Sequence, residues 1–112
     1  MKIQMQSVHF DADRKLLEFI QKRADKLDTF YGHIISGDVV LRLEKDETRV
    51  NKVFEMTLHV PGNRLFAREK ATSFEAAADL AIDAVRKQLS RHKNKEKEPV
   101  NKQVILDVMQ EE

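Results

Sequence analysis

The stretch KVFEMTLHVPGNRLFAREKA, residues 52–71, decides the fold. Phe54, Met56, Leu58 and Val60 alternate with Glu55, Thr57 and His59, so an extended chain turns its apolar side chains to one face and its polar ones to the other. That pattern predicts a half-buried antiparallel strand from Lys52 to Val60. Pro61-Gly62 then predicts a tight turn, with proline preset for the first corner and glycine free to take positive φ at the second. Arg64 to Ala71 returns as the next strand.

Upstream, Gly37 precedes Asp38-Val39-Val40-Leu41-Arg42-Leu43-Glu44, a β-branched, alternating run that reads as another strand, followed by a polar turn at Lys45 to Thr48. Lys2 to His9, with Ile3 and Met5 set against Gln4 and Gln6, reads as the first strand. Between them Asp13 can cap a helix over Arg14 to Asp28, in which Leu16, Leu17, Ile20, Ala24 and Leu27 fall within an arc of about 100°. Lys15, Lys22 and Lys26 share another face, with Arg23 between the two, and Phe30, Tyr31 and Gly32 close the helix.

Downstream, Thr72 and Glu75 have the spacing of a capping box. Phe74, Ala78, Ala81, Ile82, Val85 and Leu89 make one apolar face of a helix that continues past His92 until Pro99 stops it. Asp79 and Asp83 lie early and Arg86 to Lys93 late, which suits the helix dipole. The order β-α-β-β-β-α predicts an α+β two-layer sandwich, a four-stranded sheet with both helices on one face. The other face stays wet and can present Arg42, His59 and some of Arg64, Arg68 and Lys70.

A chain of 112 residues, 41% hydrophobic and 35% charged, suits one globular domain, over residues 1–97, with an acidic, partly apolar tail over 98–112. Cysteine is absent, which removes disulfides and thiolate chemistry and suits a reducing compartment. With no signal peptide or membrane span to read, the expected location is cytoplasmic.

Catalysis finds little support. Gly32, Gly37 and Gly62 have no phosphate-loop spacing, and His9, His33, His59 and His92 lack the i, i+4 pairing of a helical zinc site. Paired carboxylates such as Asp79 with Asp83 are explained by caps, turns and exposed helix faces. No enzyme, cofactor, metal or small-molecule substrate is expected.

The net charge of +1 conceals a strong local field. Residues 86–97 carry Arg86, Lys87, Arg91, Lys93, Lys95 and Lys97 against Glu96 alone, a local charge of +5. On a helix extended past its packed part, Arg91, His92, Lys93 and Lys95 can project toward phosphates and release counterions. A solvated helix end that only satisfies its dipole explains the same residues. Lys22, Arg23 and Lys26 form a second stripe, which merges with the first if the helices pack side by side. With no Trp and most Phe expected in the core, recognition of RNA backbone and shape is favoured over reading of unpaired bases.

Leu89-Ser90-Arg91-His92-Lys93-Asn94-Lys95, preceded by Lys87-Gln88, resembles the signature that ends the domain of bacterial ribosome hibernation-promoting factors and ribosome-associated inhibitor A. Glu18-Phe19-Ile20, Arg23, Lys26-Leu27, the strand from Val39 to Lys45, Leu58-His59-Val60 and Phe74-Glu75-Ala76-Ala77 match in the same order. The resemblance implies a fold similar to double-stranded RNA-binding domains. It also implies a non-catalytic factor that binds the small ribosomal subunit and its rRNA near the decoding centre, blocks mRNA and tRNA, and inhibits translation in stationary phase or stress. Carried over, its basic surface comprises Arg23, Lys26, Lys87, Arg91, His92, Lys93 and Lys95, with Arg42; helical geometry adds Lys22 and Arg86.

Whether ribosomes are kept as single 70S particles or paired as 100S dimers stays open at the tail. Two other readings remain: a general double-stranded RNA-binding module, and a dimerising regulator that uses residues 104–109 as an added strand.

Overall fold

Val60 pairs with Asn63 across Pro61-Gly62, and Gly62 has φ +78°, so the expected turn forms on the conformation that only glycine adopts freely. The computed structural model, which describes residues 1–45 and 47–97, builds outward from this hairpin. The elements are β1 (Lys2–Val8), α1 (Arg14–Phe30), β2 (Ser36–Leu43), β3 (Lys52–Val60), β4 (Asn63–Ala71) and α2 (Phe74–Lys97). The sheet order is β1-β2-β3-β4, with β1 parallel to β2 and the remaining pairs antiparallel. A parallel pair needs a crossover, and α1 provides it. The expected α+β sandwich is the observed fold.

Cross-strand register assigns each side chain to a face. Val39, Leu41, Phe54, Met56, Leu58, Leu65 and Ala67 lie under the helices and are buried. From α1 they meet Leu16, Ile20, Ala24 and Leu27, and from α2 Ala77, Ala78, Ala81, Ile82, Val85 and Leu89. Leu89 is fully buried although it sits inside the basic run, so it anchors the charged end of α2 to the core. A buried leucine of this kind contributes roughly 1.5–3 kcal/mol. The opposite face carries Arg42, His59, Arg64, Arg68 and Lys70 by register, as expected.

Three boundaries differ from expectation. Ser73, not Thr72, caps α2: its hydroxyl accepts from the Ala76 N–H at 3.1 Å and its carbonyl from the Ala77 N–H at 3.1 Å, so the Thr72–Glu75 capping box does not form. Asp13 caps α1 as expected, accepting from the Leu16 N–H at 2.8 Å. Gly37 lies inside β2 instead of before it, paired with Ile3 and Leu58, where a Cβ would stand 3.3 Å from both the Leu58 Cδ2 and the Met1 Sδ. α1 continues beyond Asp28 to Phe30, whereas α2 runs past His92 to Lys97 as expected. Pro99, Asp46 and the 98–112 tail lie outside the described residues. No helix among the described residues is long and apolar enough to cross a membrane.

Candidate nucleic-acid interface

The basic residues do not form one continuous patch. Arg23 and Lys26 of α1 and Arg86 of α2 line a groove between the helices, together with Asp79 and Asp83. Arg23 is 3.1 Å from the Asp79 carboxylate and lies over the Phe19 ring. Asp83 is 3.8 Å from Arg86 and 3.4 Å from Lys87. These groups are about half exposed, so each pair contributes at most about 1 kcal/mol, but each also occupies a cation. The helices pack side by side, but only the start of the α2 stripe, at Arg86, reaches the α1 stripe, and the carboxylates assigned to a merely exposed helix face stand between them, so the anticipated merged patch does not form. Lys22 and Lys26 are exposed and carry no ion pair with a described residue.

Helical phase divides the signature at the end of α2. Positions 91 to 95 span just over one turn, so residues 91, 92, 93 and 95 cannot all share one face. Arg91 and Lys95, four apart, point outward and are exposed. Lys93 lies four residues after buried Leu89 and turns inward: its ammonium donates to the Phe30 carbonyl at 3.0 Å and sits 4.7 Å from the centroid of the Phe30 ring. That carbonyl belongs to the last turn of α1, where a cation complements the helix dipole. His92 is half-buried, with its ring edge-to-face on Tyr31 at 5.7 Å. The expectation that residues 91, 92, 93 and 95 project together is therefore corrected: two project, and two brace the helix end.

Arg91 and Lys95 line a second cleft, of about 260 Å³, with Asn63, Arg64, Leu65, Gln88 and the edge of His92. Among the described residues no carboxylate lines it. Gln88 closes the β4 side, its amide donating to the Phe66 carbonyl at 2.7 Å and accepting from the Phe66 N–H at 3.2 Å. This side-chain pairing satisfies an edge strand where a neighbouring strand would otherwise add.

Arg42 belongs to neither groove. It lies on the open sheet face, between Val8 and Val53 in register, and borders a hollow with His9, Glu44 and Lys45. Its neighbours on that face are internally paired: Arg68 reaches Glu44 and Glu55, both at 3.1 Å, Lys70 reaches Glu44 at 3.1 Å, and His59 meets Asp38 at 2.8 Å. Sequence reasoning did not include Arg64 among the site residues, nor the Gln88 tie. Strand alternation carries a signal for Arg64, since it keeps the outward parity opposite buried Leu65 and Ala67. Among the described residues no cluster of three or more histidine or acidic side chains could hold a metal ion.

A profile of the family described as Sigma 54 modulation protein / S30EA ribosomal protein matches residues 3–97. The chain belongs to this family. A ribosome hibernation promoting factor of Salmonella typhimurium is 32% identical over 98 residues, covering 88% of this chain and 99% of the relative. The factor of the same name from Escherichia coli K12 is 31% identical, with the same coverage. Among solved structures, a ribosomal subunit interface protein from Coxiella burnetii superposes with a TM-score of 0.74 at 20% identity, over 84% of this chain and 99% of its own. The N-terminal domain of Thermus thermophilus Protein Y gives 0.71 at 22% identity, over 82% and 99%. These two likenesses establish the fold. Membership of the S30EA family sets the chain among ribosome-associated factors and not among enzymes.

Proposed function

We propose that this chain is a ribosome hibernation factor: residues 1–97 bind the small ribosomal subunit at the decoding centre, exclude mRNA and tRNA, and inhibit translation by occupancy in stationary phase or stress. The observation that carries the reading is similarity along 99% of the length of relatives named for hibernation promotion, with the basic signature seated on a rigid, packed helix. No covalent step is involved. The cleft of Arg64, Arg91 and Lys95 is the principal phosphate contact, because among the described residues its cations face no carboxylate. The helix groove, where Lys26 is the cation least engaged, contributes a weaker second contact, with exposed Lys22 nearby on α1. His92 and Lys93 position the helix end, and Arg42 stands apart on the open face.

Each phosphate neutralised by lysine or arginine releases counterions, so affinity falls with salt by a slope of about 0.7–0.9 per contact on logarithmic axes. Cosedimentation with purified small and large subunits at low salt tests the assignment. The chain is expected with the small subunit only, and its loss from that fraction as salt rises follows from the mechanism. Equal partition between subunits, or preference for free duplex RNA over the small subunit, contradicts it.

A further inference from the structure

Phe66 lies outside the core. Register pairs it with Thr57 on the open sheet face, and it is 50% exposed while its neighbours Leu65 and Ala67 are buried. The expectation of backbone recognition alone rested on aromatics being committed to the core, and this ring is not. On the same face beside it are Arg64 and Arg68, the latter paired with Glu44 and Glu55, so Phe66 is a lone ring among charged side chains, with Arg64 the cation beside it that carries no ion pair with a described residue, and not part of an apolar patch. A protein partner seeking hydrophobic area finds little here. A polyanion with flat aromatic groups finds both of its features matched.

The backbone of Phe66 is held at both its N–H and its C=O by Gln88, which also lines the cleft of Arg64, Arg91 and Lys95. The Phe66 backbone and the cleft are therefore tied together at one edge of the molecule. Arg64 and Phe66 are two residues apart on one strand face, roughly 7 Å, a distance that one or two nucleotides span.

We propose that this edge binds an unpaired stretch of RNA, with backbone phosphate on Arg64, Arg91 and Lys95 and a base stacked on Phe66. The proposal rests on the RNA-binding reading above and adds to it the single-stranded character of the RNA at this point. Bases inside an A-form duplex are stacked on each other and offer no face to the ring.

The chain contains no tryptophan, so Phe66→Trp introduces a unique reporter at an exposed position. Titration of that variant with a single-stranded RNA decamer is expected to quench the indole emission, and the same decamer annealed to its complement is expected not to. Phe66→Ala should weaken binding of the single-stranded decamer by roughly five- to a hundredfold, from the energy of base–aromatic stacking, without changing the salt slope. Arg64→Ala should lower that slope by about 0.7. Indole emission indifferent to saturating RNA, equal quenching by the duplex, or a Phe66→Ala affinity within about twofold of the parent overturns the proposal, since stacking contributes more than that. Sedimentation of the unsubstituted chain with small subunits is read separately. Its failure removes the ribosomal reading, whereas the decamer titrations decide the role of the ring.

Discussion

The groove between the helices and the cleft at the end of α2 are each lined by three lysine or arginine cations, and they differ in what stands beside them. Arg23, Lys26 and Arg86 share their groove with Asp79 and Asp83, whereas Arg64, Arg91 and Lys95 share theirs with the neutral amides of Asn63 and Gln88. A phosphate entering the first must compete with a carboxylate already 3.1 Å from Arg23. In the second no carboxylate of the described residues competes, and the phosphate displaces counterions, the exchange that favours polyanion binding. Counting charges along the chain does not separate these two sites; the partner of each cation does.

The contrast depends on the cleft being held open at a fixed width, and Gln88 supplies the tie. Gln88→Ala removes two hydrogen bonds to the Phe66 backbone and should cost about 1–2 kcal/mol in denaturant unfolding, with faster hydrogen exchange at the Phe66 amide. Unchanged stability and exchange would show that the cleft does not need this tie. Lys93→Ala should cost about 1 kcal/mol, because it uncovers the Phe30 carbonyl at the end of α1, while the salt dependence of RNA binding stays as it is. A lower salt slope in that variant would move Lys93 from the brace to the phosphate site. The smallest effect is expected from Asp83→Asn, which frees Arg86 and Lys87 and should tighten RNA binding about twofold at low salt. Weaker binding would mean that the carboxylate orients the cations instead of competing for them.

Local chemistry made most of the fold legible. The Pro61-Gly62 turn, the Asp13 cap and the alternation of β3 each report a short-range requirement that nearby residues satisfy. The α2 cap was ambiguous because Thr72 and Ser73 both bring a hydroxyl, and only the path of the chain chooses between them. The place of β1 beside β2 is a long-range pairing that periodicity does not encode. In the site, the inward turn of Lys93 was readable from its spacing to Leu89, but charge outweighed phase. The pairing of Arg23 with Asp79 joins residues on different helices, and Arg64 meets Arg91 only because the β3–β4 corner packs beside α2. Neither follows from spacing along one element.

The most direct test replaces Arg64, Arg91 and Lys95 together by Ala, replaces Arg23, Lys26 and Arg86 in a second variant, and measures small-subunit binding of both across a salt series. The cleft variant should lose about 2–3 from the logarithmic salt slope and at least about tenfold in affinity, and the groove variant less than about 1 from the slope. Equal slopes for the two variants, or a cleft variant that binds like the parent, would contradict the account.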